Sequence, residues 1–335
     1  MVEKDKSLLH YNTFGLKVNA AYFATYESID ELKGLLNSEW AKDNSLLLLG
    51  GGSNILFLDD FEGLVLYSKI KGMKVVSKDE DNVWVEVGAG EKWDDFVAHA
   101  VRNGWYGAEN LSGIPGQVGA SAIQNIGAYG SEAKDLISSV SCVEIATGQE
   151  CVFEVEDLDY GYRHSRFKTE WKDQYVVTSV TYRLSLRERY RLDYGGLRAM
   201  LDAEGEPTLQ KVRDAVIRIR NAKLPDPKVF GNAGSFFMNP VVNRDVYERL
   251  VAKYGEFPHF KLEHDKVKIP AAWLIEQSGW KGKNLAHAAM HDVQPLVLIN
   301  LGGATGKEIL ELSQKVAGDV WDKFSIRLHR EVIVV

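Results

Sequence analysis

Short apolar runs broken by glycine-rich turns dominate the first half of the chain. SLLLL (45–49), GLVLYS (63–68), KVVS (74–77) and NVWVEVGAG (82–90) each have the length and side-chain character of a β-strand. Within the last, Trp84, Val85, Glu86 and Val87 alternate as a half-buried strand does. EKWDDFVAHAVRNGW (91–105) changes period. Trp93, Phe96, Val97, Ala100 and Val101 recur at helical spacing, and Gly104 suits the left-handed position just past a helix end. Strand texture returns in SVSCVEIATGQECVFEV (139–155), around an ATGQ turn, and in YVVTSVTYRLSL (175–186). LQKVRDAVIRIRNAK (209–223) predicts an amphipathic helix with Val212, Ala215, Val216 and Ile219 on one face. LPDPK stops it, because proline removes a helical donor and disfavours helix in the residue before it. Beyond this break the spacing predicts helices around 244–254, 270–278 and 306–318, and strands at 295–300, 325–328 and 331–335. The pattern is α+β with mixed or antiparallel sheets, not a simple β-α-β alternation.

Composition narrows the class. The chain has 335 residues, 45% hydrophobic and 26% charged, enough for two or three packed units. Net charge is −7, and no long basic run is present, which argues against nucleic acid or an anionic membrane surface as partner. The N-terminal MVEKDKSLLHYNTFG lacks the apolar core of a signal peptide, and aliphatic runs such as 46–49 are too short to span a bilayer. No membrane insertion and a cytoplasmic location are expected. Cys142 and Cys151 read as small hydrophobes rather than a disulfide framework. No metal site is expected: His287 and His291 stand four apart, but no glutamate completes an H-E-x-x-H. GGATGKE (302–308) has the wrong glycine spacing for a phosphate loop and reads as a helix start.

Four stretches carry candidate chemistry. LLLLGGGSNILF (46–57) places Gly50, Gly51, Gly52, Ser53 and Asn54 between two strands. Successive backbone amides there can form an anion nest, although a tight turn is the plainer alternative. GAENLSGIPGQVGASAIQNIGAYGSE (107–132) is a glycine-rich stretch, expected to form neither a regular helix nor a regular strand. It is either a wrap-around loop or a bed of small residues and amides for a flat ligand such as a flavin or purine. YGYRHSRFK (160–168) clusters Tyr160, Tyr162, Arg163, Arg166 and Lys168, a grip for an anionic substrate or a solvated strand edge. VFGNAGSFFMNP (229–240) folds glycines around one serine, Ser235, without the G-x-S-x-G of a nucleophile elbow. Lys223 and Lys228 precede it, and Glu331 opens the last apolar run, where it is either the last exposed residue of a strand or a working acid.

Taken in order, LLGGGSNILF, the 107–130 stretch, YGYRHSRFK, KLPDPK, GNAGSFFMNP, AAWLIEQSGWKG and the terminal REV resemble the UDP-N-acetylenolpyruvoylglucosamine reductases, the flavoenzyme family called MurB. The likeness runs from NTFG (12–15) to the C-terminus. YGGL around Tyr194 is similar to the type I branch, whose tyrosine loop closes over substrate. The resemblance implies an α+β fold: a two-lobed FAD-binding domain of the vanillyl-alcohol oxidase (PCMH) type plus a separate α/β substrate-binding domain. The expected parts are 1–68 as lobe 1, joined by the C-terminal strand 329–335, then 69–224 as lobe 2, and 225–328 as the substrate domain.

The family's activity implies NADPH-dependent reduction of UDP-N-acetylglucosamine enolpyruvate to UDP-N-acetylmuramate through FAD, in peptidoglycan precursor synthesis. Hydride passes from flavin N5 to C3 of the enolpyruvyl group, and C2 is then protonated. By the same likeness Arg163 and Glu331 stabilise the enolate and Ser235 is the acid that protonates C2. Tyr162, Tyr194, Lys223, Asn239 and Gln294 are implied as substrate contacts. Gly50, Gly51, Gly52, Ser53, Asn54, Ser112, Ile114, Pro115, Gly116, Gly119, Ala120, Gln124, Asn125, Gly127, Ala128 and Tyr129 are implied as cofactor contacts. No histidine lies between 50 and 60, so FAD is expected to be non-covalent. A monomer is expected. Two departures stand out: Met238 occupies a position where the family usually has lysine, and Ile333 one where some relatives have arginine. The competing readings are a FAD-dependent sugar or alcohol oxidase of the same fold, and a non-catalytic flavin or nucleotide-sugar binding protein.

Overall fold

The computed structural model describes every residue except Glu204. Contacts divide the chain into two compact units. The first comprises Met1–Lys6, Ala20–Gly51 and Phe61–Ala222, and the second Ser7–Asn19, Gly52–Asp60 and Lys223–Val335. The break at Lys223 adjoins the Pro-rich stop that the sequence marks. The first 68 residues, by contrast, are shared between the units. The reason is visible in the pairing: the C-terminal strand Ile333–Val334 lies parallel to Ile55–Leu56, which keeps 52–60 with the second unit.

Two sheets build the first unit. One has the order Val2–Ser7, Asn19–Tyr26, Phe61–Ser68, Ser45–Leu49. Its last three strands are parallel, so the chain between Tyr26 and Ser45 must cross over. Helix Ile29–Leu36 makes that crossing, capped by the Ser28 side chain accepting the Glu31 amide and burying Leu32 and Leu36. The second sheet is antiparallel throughout, ordered Glu150–Glu154, Ile137–Glu144, Tyr175–Ser185, Asn82–Gly88, Met73–Lys78. Its central strand Tyr175–Ser185 alternates buried and less buried positions, and its buried side chains join those of Val83, Val85 and Val87 in an extensive hydrophobic core. Cys142 and Cys151 face each other across this sheet with both thiols free. Burial pushes the Cys142 thiol far above the ordinary range, so it behaves as a small core hydrophobe.

Helix Trp93–Arg102 packs on this sheet by Trp93, Phe96, Val97, Ala100 and Val101. It ends at Asn103, followed by Gly104 at φ +71°, the left-handed step its sequence predicts. Phe96 stacks on Tyr182 with ring centroids 4.6 Å apart, and Trp93 meets the same ring edge-on.

The second unit holds an antiparallel sheet ordered Gly231–Ser235, Val297–Asn300, Ala288–Met290, Asn284–Leu285. A three-stranded sheet of Val241–Asn243, Lys266–Lys268 and Phe260–Lys261 accompanies it. The expected helices appear as Arg244–Tyr254, Ala271–Gln277 and Gly306–Phe324. The last opens at GGATGKE, where Thr305 and Glu308 form a reciprocal capping box, so this motif is a helix start. Two expectations are corrected. Residues 325–328 form no strand, since the helix runs on to Phe324 and Ser325 turns left-handed at φ +56°. The final strand is reduced to Ile333–Val334, preceded by a single bridge at Arg330.

Candidate active site

The glycine-rich stretch 107–132 is more regular than its composition suggests. It contains the helix Val118–Gln124, built from small residues, and the short paired strands Gly127–Ala128 and Ser131–Glu132. Glycine and alanine permit helix here because the segment packs against the sheet instead of relying on its own propensity. Trp93 Nε1 donates to the Leu111 carbonyl, Ser121 Oγ meets Tyr182 Oη at 2.8 Å, and the Gly119 amide donates to Ala89 O. Gln117 Nε2 donates to Ser68 O, and the Trp93 amide to Gly116 O. The result is a loop pinned from beneath. Ile114, Gly116, Ala120, Gln124, Gly127, Ala128 and Tyr129 of this stretch are half-buried, Ile114 and Ala128 packing against the core.

Close backbone approach explains the first glycine cluster. A Cβ on Gly51 would lie 2.8 Å from Gly116 Cα, and one on Gly50 would lie 3.3 Å from Ala120 Cβ. These two glycines join the turn to the pinned loop. Gly52 belongs to the second unit, where its φ of +63° and a Cβ position 1.9 Å from Tyr11 O exclude any side chain. Neighbouring Ser53 is half-buried. Asn54, expected at the cofactor, donates its side chain to Glu331 O at 3.3 Å and so steadies the C-terminal segment.

Two other expected cofactor contacts spend their side chains inside the protein. Ser112 Oγ donates to Glu109 O and is fully buried. Asn125 is also fully buried, in the left-handed conformation at φ +44° that ends helix Val118–Gln124. Its Nδ2 donates to Gly161 O and Glu132 Oε2, and its Oδ1 accepts the Lys134 amide. Asn125 is thus a scaffold for its neighbours: Gly161 and His164 close a hairpin whose tip is Tyr162 and Arg163. Arg163 adopts φ +54°, unusual for a residue with a side chain. Its Nη2 donates to Gly127 O at 2.9 Å and its Nη1 to Asn125 O at 3.4 Å, while its guanidinium lies 5.4 Å from the Tyr162 ring centre. The cation is therefore fixed against the rim of the small-residue bed. Gln124 is different: its buried Oε1 has no donor among the described residues.

Tyr194 sits beside this rim, 42% exposed, its ring edge-on to Tyr129 with centroids 6.4 Å apart. Gly195 and Gly196, both left-handed, follow it. Asn110 Nδ2 donates to both Tyr129 O and Arg191 O, tying the root of the tyrosine segment to the bed. Sequence reasoning passed over Asp94, Arg213 and Arg220. Both oxygens of Asp94 accept from Arg213 at 2.7 Å, and Asp94 Oδ1 also accepts the Gly113 amide. The available signal was a pair of arginines seven apart on helix Leu209–Lys223, hence on one face.

In the second unit the serine segment is a β-structure with a defect. Gly231 and Asn232 pair with Asn300 and Ile299, the register then shifts, and Ser235 pairs with Val297. Gly234 at φ +67° makes that irregularity, and its amide donates to Asn232 Oδ1. Beyond Ser235 the chain changes partner: the Glu331 amide donates to Phe236 O and the Met238 amide to His329 O. Buried Phe236 and Phe237 anchor this ladder. Ser235, at the end of its strand, and Glu331, in the extended segment hydrogen-bonded to Phe236, are both half-buried. Asn239 Oδ1 accepts the Ala271 amide at the start of helix Ala271–Gln277, so its side chain also positions that helix. Gln294 stands in the turn before Val297, its amide donating to His291 Nδ1. Lys223 is exposed at the end of helix Leu209–Lys223. Of the two departures, Met238 shares an open groove with Leu328, Val332 and Val334, and Ile333 is used in the ladder to Ile55.

Comparison with known proteins decides the family. Residues 226–335 match the model of the UDP-N-acetylenolpyruvoylglucosamine reductase C-terminal domain, and residues 20–153 match a FAD binding domain. UDP-N-acetylenolpyruvoylglucosamine reductase of Bacteroides fragilis strain YCH46 is 52% identical over 331 residues, covering 99% of each chain. The chain belongs to this family. The enzyme of the same name from Porphyromonas gingivalis strain W83 is 45% identical over 332 residues, covering 99% of this chain and 98% of its own. The crystal structure of the MurB reductase of Thermus caldophilus superposes with a TM-score of 0.70 at 25% identity, covering 100% of this chain and 98% of that one. The two-domain α+β fold expected from the sequence is the fold of this family.

FAD suits the bed in the first unit. A flat ring system needs small side chains beneath it and a few amide partners at its edge. Ala120, Gly127 and Ala128 supply the first, and the orphaned Gln124 Oε1 is an acceptor suited to a ring N–H.

Proposed function

We propose that the protein reduces UDP-N-acetylglucosamine enolpyruvate to UDP-N-acetylmuramate with NADPH, as an FAD-dependent, monomeric, cytoplasmic enzyme of peptidoglycan precursor synthesis. The observation that carries this reading is the pairing of the Ser235 segment with the Glu331 segment, within a chain whose family is named for the reaction. Among the described residues no helix is long and apolar enough to cross a membrane. FAD, held non-covalently by the bed of the first unit, would supply the hydride chemistry that links NADPH to C3 of the enolpyruvyl group.

The protein's own residues handle charge and proton. Addition of hydride at C3 leaves negative charge on C2 and the adjoining carboxylate. Fixed cations and donors lower the barrier to that charge because they need no reorganisation when it develops. Arg163, already locked by two backbone carbonyls, is one such group, and Glu331 in its protonated form is a second. Ser235 donates its hydroxyl proton to C2. A serine is a weak acid in water, yet a carbanionic centre within hydrogen-bond reach is basic enough to take its proton. The kinked strand around Gly234 serves that purpose: it fixes one hydroxyl without building a nucleophile elbow. Lys223, Tyr162, Asn239 and Gln294 bind the nucleotide-sugar, Lys223 through the diphosphate, and Tyr194 closes over it. Ser53 and the glycine turns contact FAD through backbone amides, and Pro115, which has no N–H, through its ring or carbonyl.

The test is product analysis. Incubated with the enolpyruvyl sugar nucleotide and NADPH, the enzyme is expected to yield a product carrying two additional hydrogens, with NADPH consumed one for one. Oxygen uptake with simple alcohols, and no change in the sugar nucleotide, contradicts the reading in favour of an oxidase.

A further inference from the structure

The hairpin that carries Arg163 is tied to the small-residue bed by side-chain donors. Tyr160 Oη donates to Ala122 O at 2.8 Å and Ser165 Oγ to Ile123 O at 2.7 Å. Arg163 donates to Asn125 O and Gly127 O, and Asn125 returns a bond to Gly161 O. These bonds fix where the hairpin lies and where the guanidinium rests. The backbone at the tip is a separate matter. Gly161 and His164 bridge around Tyr162 and Arg163, and Arg163 makes the turn at φ +54°. Residues with a side chain rarely enter this left-handed region, because Cβ then crowds the backbone. Such a conformer persists where its surroundings hold it.

Lys168 supplies such a hold. Its Nζ donates to the Arg163 carbonyl at 2.8 Å, five residues back along the chain. The direction of that carbonyl is set by ψ of Arg163, so the ammonium that grips it also holds the turn that aims the Arg163 side chain. A charge-assisted bond of this kind is stronger than one between neutral groups. Lys168 also acts from a fixed base. It closes the short helical turn Arg166–Lys168, its amide donating to Ser165 O. Ser165 is fully buried, and Phe167 packs edge-on to Phe153 and Trp171 against the core. We infer that Lys168 is a positioning residue for Arg163: its ammonium holds the left-handed tip of the hairpin and keeps the guanidinium where negative charge develops on the substrate. This inference rests on the reading of Arg163 as the cation that stabilises the enolate.

The experiment compares Lys168→Met, Lys168→Arg, Arg163→Met and the double variant Arg163→Met/Lys168→Met with wild type. Each is the full-length, FAD-loaded enzyme, followed by anaerobic stopped-flow absorbance, with FAD content and thermal unfolding measured beside it. Lys168→Met is expected to keep its FAD and to bleach with NADPH at the wild-type rate. Its colour is expected to return with the enolpyruvyl substrate about 10- to 10²-fold more slowly, because a displacement of about 1 Å in a reacting group costs up to about 10²-fold. Lys168→Arg keeps a charged donor and should recover most of that rate. The double variant should recolour no more slowly than Arg163→Met alone, since a residue that acts only through Arg163 then has nothing left to position. Where Lys168→Met does not fold, Lys168→Gln carries the same expectations. Recolouring of the Lys168 variant at the wild-type rate overturns the inference. So does a loss of equal size with and without Arg163, or bleaching and recolouring slowed alike with loss of FAD, the mark of a purely structural residue. If Arg163→Met itself recolours at the wild-type rate, the reading of Arg163 fails and takes this inference with it.

Discussion

The bed at 107–132 and the strand at Ser235 solve opposite problems. The bed offers backbone and small side chains, and is made rigid from below by Trp93, Gln117, Ser121 and Tyr182. The serine strand offers one hydroxyl, and is made rigid from its sides by two different β-partners. A flat, extensive ligand needs many weak contacts, so no single side chain of the bed dominates. A proton transfer needs one atom within hydrogen-bond reach, so its loss is abrupt. The comparison predicts steep effects of substitution in the strand and graded ones in the bed.

The largest effect is expected from Ser235→Ala. Its turnover should fall by about 10²–10⁴-fold, the usual range for a general acid, with the fold and FAD content intact by visible spectrum. A loss of only a few-fold breaks the comparison at its strong end. Arg163→Lys comes next. Lysine keeps the charge but loses the fork that holds Gly127 O and Asn125 O. A fall in kcat of about 10²-fold, by analogy with loss of one oxyanion donor, with little change in FAD binding, is the expected steady-state result.

The bed is probed by Gly51→Ala, whose methyl group would meet Gly116 Cα at 2.8 Å. Forced overpacking of this kind costs about 1–3 kcal/mol, read by denaturant unfolding, together with weaker FAD binding. Unchanged stability would show that the glycine turn and the loop part without penalty. The smallest effect concerns Asp94→Asn. Burial raises the Asp94 pKa, but hydrogen bonds from Arg213 and Gly113 and the Arg213 charge outweigh it, leaving the folded-state value below the ordinary one. A depressed carboxyl pKa gives stability that is present above the unfolded value and lost as pH falls through the folded one. Asp94 is 38% exposed, so the contribution is about 1 kcal/mol or less after solvent screening. Asp94→Asn should therefore lower stability at neutral pH slightly and flatten its decline below about pH 4, near the ordinary aspartate value. A wild-type decline of the same slope in the variant contradicts this.

The same contrast explains what the sequence disclosed. Helix Trp93–Arg102 and strand Tyr175–Ser185 were legible because their periodicity reports a single buried face. Helix Val118–Gln124 was not: VGASAIQ has weak propensity and too little bulk to show a period, and tertiary bonds stabilise it instead. Ser235, Glu331 and Arg163 stood out through their motifs. The internal uses of Asn54, Ser112 and Asn125 did not, because a side chain that contacts ligand and one that braces a turn have the same composition.

The central claim is that Ser235 is a proton donor to substrate and has no part in accepting hydride. Anaerobic stopped-flow absorbance separates the two halves. Ser235→Ala should bleach with NADPH at the wild-type rate, and its colour should fail to return when the enolpyruvyl substrate is added. Equal slowing of bleaching and recolouring, or recolouring at the wild-type rate, contradicts the account.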